Sequence, residues 1–75
     1  MRDQVEKLLL EIKPELADLL DDNLNLTEFL DSMDIIFLVE VIERDYNIVV
    51  GGTEIIPENF ASLPMIIDLI IHKLP

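Results

Sequence analysis

Three segments of this 75-residue chain repeat apolar residues at the spacing of an amphipathic helix, and this pattern predicts an all-α fold. At 100° per residue, the apolar positions of each segment fall on one face that needs a partner to cover it. The apolar positions are Val5, Leu8, Leu9 and Ile12 in the first segment, Ile35, Leu38, Val39, Ile42 and Tyr46 in the second, and Ile66, Leu69 and Ile70 in the third.

Prolines and hydroxyl residues predict where these helices begin and end. Pro14 should end the first helix, because its ring clashes with the preceding turn. Ser32 is expected to cap the second helix, which runs to about residue 45, and Ser62 to cap the last, which runs to about residue 74. Pro57 is expected to begin a short helix over residues 57–61.

The connections are predicted to be loops that pack on the core. Residues 15–20 should form one further turn with three leucines pointing inward, Leu16, Leu19 and Leu20. Thr27 is expected to cap a single short turn. The run Ile48-Val49-Val50 has the composition of a strand, but a lone strand has no partner, so residues 47–56 are predicted to be an extended loop.

The balance of charge and hydrophobicity indicates one compact domain, residues 1–75. The chain is 51% hydrophobic yet carries a net charge of -11, so the charges must lie on the surface of a folded body. An acidic surface disfavours nucleic acid and anionic membranes as partners and favours basic proteins. The longest apolar run, residues 35–39, is far short of the roughly 20 residues that span a bilayer, so no membrane insertion is expected. The N-terminus resembles no signal peptide, so we expect a cytoplasmic protein.

The segment Asp31-Ser32-Met33-Asp34 places a primary hydroxyl between two carboxylates at a predicted helix start. The simplest interpretation is that Ser32 is a helix cap. An enzyme is disfavoured, because the chain has no cysteine and a body too small for an obvious pocket, and because its only histidine, His72, lies far along the sequence. The acids Asp18, Asp21 and Asp22 lack the spacing of an EF-hand loop, so no metal site is expected.

The wider sequence resembles the acyl and peptidyl carrier proteins. Asp-Ser-Met matches their Asp-Ser-Leu signature with methionine for leucine, the residues that follow resemble their second helix, and Ile-Pro-Glu-Asn-Phe-Ala-Ser-Leu resembles their third-helix region. The resemblance implies a small four-helix bundle with a long loop between helices one and two and a short third helix. It also implies that Ser32 carries 4′-phosphopantetheine from coenzyme A, with Asp31, Met33 and Asp34 as its recognition environment.

The resemblance implies a carrier without catalytic activity that works with partner enzymes. These are a phosphopantetheinyl transferase, a ligase that loads the cargo, and a downstream transferase or synthase with a basic docking surface, as in fatty acid or polyketide biosynthesis. The carrier itself would be a freestanding monomer. The segment Pro57-Glu58-Asn59-Phe60 is closer to aminoacyl or peptidyl carriers, including nonribosomal and D-alanyl types, so the cargo stays open. A helical interaction domain that is never modified is the alternative of another class.

Two apolar residues on the predicted second helix, Met33 and Phe37, lie opposite the face that forms the core. Single exposed apolar side chains are common, and the preceding loop is another candidate to cover them. Their position beside Ser32, with Asp34 and Glu40 around them, suggests an apolar anchor with an acidic rim for a partner.

Overall fold

The computed structural model describes all 75 residues and contains three α-helices and no strand. The helices are α1 (Arg2–Ile12), α2 (Ser32–Tyr46) and α3 (Leu63–Lys73). Short 3₁₀ turns lie between them at Pro14–Asp18, Leu26–Glu28, Gly52–Glu54 and Pro57–Phe60. The all-α prediction is confirmed. The predicted four-helix bundle is not, because the segment expected to be a short third helix forms one 3₁₀ turn.

The core is built around α1, which packs against both α2 and α3. All 16 buried residues are apolar, and they form one cluster. The buried residues of α2 are those that the helical periodicity predicts, Ile35, Leu38, Val39 and Ile42. The connections also contribute, through Leu16, Leu26, Leu30, Ile48, Val50 and Phe60. The loops are therefore packed parts of the domain, as their apolar residues predict.

Local signals explain most of the helix ends. α1 ends at Ile12, two residues before Pro14. The Ser62 hydroxyl caps α3 by accepting a hydrogen bond from the Met65 N–H over 3.3 Å, as predicted. After α2, Asn47 adopts a left-handed conformation with φ of 54°, which asparagine tolerates better than most residues.

Two predictions for the connections are wrong in detail. Leu19 is 46% exposed, because the 3₁₀ turn ends at Asp18 and leaves this leucine on the outside of the loop. Thr27 does not cap the turn that contains it; the Asn25 side chain does, by accepting the Thr27 N–H over 3.1 Å. At the end of α3, Lys73 is half-buried and forms an ion pair with Glu54.

Candidate functional site

The start of α2 is held by a reciprocal pair of hydrogen bonds on either side of Ser32. The Asp31 carboxylate accepts the Asp34 N–H over 2.8 Å, and the Asp34 carboxylate accepts the Asp31 N–H over 3.1 Å. Asp31 is therefore the cap, and Ser32 is the first residue of the helix. The prediction that Ser32 caps α2 is wrong, because a carboxylate one residue earlier accepts the orphan N–H of Asp34. The exposed Ser32 hydroxyl is left free of the capping role.

This arrangement predicts that only one of two neighbouring substitutions lowers the stability. Asp31→Ala should lower the free energy of unfolding by about 0.5–2 kcal/mol, because α2 loses its cap. Ser32→Ala should leave it nearly unchanged, and Asp31→Asn serves as the control because asparagine also caps helices. Urea unfolding followed by circular dichroism measures all three. A larger loss for Ser32→Ala than for Asp31→Ala would contradict the capping assignment.

Lys13 ties the end of α1 to the start of α2. Its ammonium lies 3.1 Å from the Asp34 carboxylate oxygen that also accepts the Asp31 N–H. The Asp31 N–H, and after it the Lys13 ammonium, holds the pKa of Asp34 below its ordinary value of 3.8. In turn, the hydrogen bond to the Asp34 carboxylate raises the pKa of Lys13. The two helix ends next to Ser32 are thus joined by one charged contact.

The lowered pKa of Asp34 predicts how this contact depends on pH. A carboxyl group whose pKa is lower in the folded state contributes stability above its unfolded pKa, and this contribution is lost as the pH falls through the folded value. The difference in melting temperature between the wild type and Asp34→Asn should therefore be full at pH 7 and shrink below about pH 4. Glu58→Gln, at an exposed acid without an ion pair, is the control for the general effect of charge. A difference that persists unchanged in acid would contradict the assignment.

An open apolar groove of about 450 Å³ lies beside Ser32. The Ser32 side chain forms part of its wall, and the rest comes from Thr27, Leu30, Ile35, Ile36, Ile55 and Pro57. The sequence-based expectation of no obvious pocket is wrong. The groove was missed because two of its walls, the turn before α2 and the segment around Ile55, meet only in the folded chain. Only Ile36 carried a signal, since it lies one helical turn after Ser32 and shares its face.

An apolar strip of three exposed side chains, Met33, Ile36 and Phe37, runs along the outside of α2. They are 53%, 44% and 46% exposed. The predicted exposure of Met33 and Phe37 is confirmed, and Ile36 extends the strip toward the groove. Of the two acids expected around it, Glu40 is exposed, whereas Asp34 is half-buried against Lys13. Of these two acids, only Glu40 is fully open to a partner that binds the strip.

The other candidate residues do not come together with Ser32. His72 lines a second, more polar cleft with Glu54 and Asp68. Its Nδ1 lies 2.7 Å from the Asp68 carbonyl oxygen, which can only accept, so Nδ1 carries the proton. No three side chains of the types that bind metals are grouped as a metal site.

Comparison of the chain with protein-family models, curated proteins and solved structures finds no match. None of the helices combines the length and apolar character needed to cross a bilayer. The geometry around Ser32 and the sequence motif that contains it are therefore the two indications of function.

Proposed function

We propose that this chain is a carrier domain that holds an acyl group on a 4′-phosphopantetheine arm attached to Ser32. The observation that carries the proposal is the position of the Ser32 side chain, exposed at the first residue of α2 and part of the wall of an apolar groove. A group attached at this oxygen can leave toward solvent or fold back along the groove. The Asp-Ser-Met-Asp motif around it supports the same attachment.

The residues around Ser32 fit such a group. The Asp31 carboxylate caps α2, so modification of the serine does not cost the helix its cap. The positive end of the helix dipole favours a phosphodiester at this position. When attached, the arm supplies the thiol on which cargo is held as a thioester, a group that this cysteine-free chain cannot provide itself.

The chain cannot activate its own serine. Both carboxylates beside Ser32 are engaged, because Asp31 and Asp34 bond to each other's backbone N–H and Asp34 also pairs with Lys13. The only histidine, His72, lines a different cleft. In the proposed attachment, the Ser32 oxygen forms a bond to phosphorus, the pyrophosphate bond of coenzyme A breaks, and adenosine 3′,5′-bisphosphate leaves. The serine proton goes to a base on the phosphopantetheinyl transferase. In this proposal the chain is therefore a substrate of its partner enzymes and not itself an enzyme.

The surface of α2 suits basic partner enzymes. A net charge of -11 steers such partners by long-range attraction, which acts over about 8 Å at physiological ionic strength. The apolar strip then gives them a central contact beside the attachment site, with exposed Glu40 next to it. We assign this face to the transferase, the loading ligase and the downstream synthase or transferase, in the cytoplasm.

The groove favours acyl over aminoacyl cargo. Its apolar walls, Leu30, Ile35, Ile36 and Ile55, offer no charged partner for an ammonium group. In this proposal the turn Pro57–Phe60 takes the place of the short third helix of carrier bundles, since Pro57 closes one side of the groove. An aminoacyl cargo remains the alternative and would be held outside the groove.

The absence of cysteine gives a direct test of the proposal. The unmodified protein contains no thiol, so reaction with a thiol reagent should rise from zero to one equivalent after incubation with coenzyme A and a broad-specificity transferase. A value of zero, in a reaction that modifies a known carrier domain, would contradict the proposal. It would favour the second candidate, an unmodified interaction domain that binds through the apolar strip on α2.

A further inference from the structure

Glu54 ties the loop after α2 to the last helix. One oxygen of its carboxylate accepts the Gly51 N–H over 2.9 Å and also contacts the Lys73 ammonium on α3. Its backbone carbonyl accepts a hydrogen bond from the Asn59 side chain over 2.8 Å. Glu54 therefore organises residues 51–59 and links them to Lys73, which lies 19 residues further along the chain.

Gly51 leaves room for this close arrangement. A Cβ atom at this position would lie 3.2 Å from the same Glu54 oxygen that contacts Lys73, tighter than most real contacts. The glycine lets the carboxylate turn back onto the loop while it reaches α3. The contact is also partly shielded, since both charged side chains are about one third exposed or less.

The residue next to this contact forms a wall of the groove. Ile55 follows Glu54 directly, and it lines the groove together with Pro57 and with Ile35 and Ile36 of α2. The loop that carries Ile55 is tied to α2 at its start, where the Glu43 carboxylate accepts the Val50 N–H over 2.8 Å. After Val50 it is tied to α3, through Lys73 and through the turn Pro57–Phe60, which packs on α3. The position of Ile55 therefore depends on the connection between the loop and α3.

We infer that the ion pair between Glu54 and Lys73 is a latch that holds Ile55 in place and so limits the size of the apolar group that the groove accepts. Release of the latch frees residues 51–55 to move away from α2, while the hydrogen bond from Val50 to Glu43 keeps the start of the loop in place, and the groove widens. Glu54 and Lys73 are thus specificity-determining residues that do not touch the attachment site. The identity of the apolar group, an acyl chain carried from Ser32, rests on the proposed function.

The latch can be tested on the unmodified protein with a neutral apolar fluorophore, N-phenylnaphthylamine. Lys73→Met keeps most of the side-chain stem and removes the charge. Glu54→Gln removes the charge but keeps an oxygen for the Gly51 N–H. The matched control is Lys7→Met, which causes the same change in net charge at an exposed site of α1 that has no ion pair.

Both latch variants should bind the fluorophore about twofold to fivefold more tightly than the wild type, the range that loss of one partly exposed ion pair allows. The double variant E54Q/K73M should gain no more than either single one, because both remove the same contact. Chemical-shift changes on binding should involve Ile35, Ile36 and Ile55. Equal affinity of Lys73→Met and Lys7→Met for the fluorophore would overturn the inference. So would chemical-shift changes that lie outside the groove.

Amide hydrogen exchange separates a local latch from general destabilisation. In Lys73→Met and Glu54→Gln, amides of residues 51–55 should exchange faster while those of α1 keep their protection. Faster exchange throughout α1 would overturn the inference. None of these measurements uses Ser32, so they test the latch independently of the carrier function. If the transferase adds no thiol but the latch variants bind the fluorophore more tightly, only the carrier function is refuted. If the thiol is added but the latch variants bind the fluorophore like the wild type, only the latch is refuted.

Discussion

Phe60→Ala is expected to lower the free energy of unfolding by about 3–5 kcal/mol, the cost of truncating a buried phenylalanine. Phe60 is fully buried in the turn that packs against α3 and against the Leu26–Glu28 turn. A 75-residue domain has a stability of only several kcal/mol, so this loss should leave a large unfolded fraction at room temperature. Urea unfolding of the variant, extrapolated to water, measures the loss.

The same substitution at Phe37 should behave differently, because this side chain is 46% exposed on the apolar strip. Phe37→Ala should leave the melting temperature nearly unchanged but slow cargo transfer with the dedicated partner on the order of tenfold or more, as loss of a central interface residue does. A large fall in melting temperature for Phe37→Ala would show that it belongs to the core. A stable Phe60→Ala protein would contradict the packing described for the Pro57–Phe60 turn.

The helices and the core could be predicted from the sequence because both follow from local periodicity. Ile35, Leu38, Val39 and Ile42 are buried because their spacing places them on one face, and the same reasoning leaves Phe37 outside. Short-range chemistry was equally informative at Ser62, which caps α3 as predicted.

The details around Ser32 could not be predicted, because two adjacent residues were both able to cap α2. Asp31 and Ser32 each have a suitable oxygen, and only the path of the preceding loop decides which one reaches the Asp34 N–H. The contact between Lys13 and Asp34 also depends on tertiary structure, since it needs the end of α1 to lie beside the start of α2.

The groove and the latch could not be predicted from local sequence patterns, because both join residues that are distant in sequence. Ile36 and Ile55 are far apart in the sequence and meet through the packing of the whole domain. Neither Lys73 nor Glu54 gave a sequence signal for their contact, because they lie 19 residues apart and meet only in the folded chain. The expected short third helix failed for a local reason, because Pro57–Phe60 provides only four residues before the chain continues to the cap of α3 at Ser62.

The intact mass of the protein after incubation with coenzyme A and a broad-specificity phosphopantetheinyl transferase tests the central claim most directly. The wild type should gain the mass of one phosphopantetheine, and so should Ser62→Asn, which removes the other serine but keeps a residue able to cap α3. Ser32→Ala should gain nothing while remaining folded, because Asp31 caps α2. An unmodified wild type beside a modified known carrier, or a modified Ser32→Ala protein, would contradict the account.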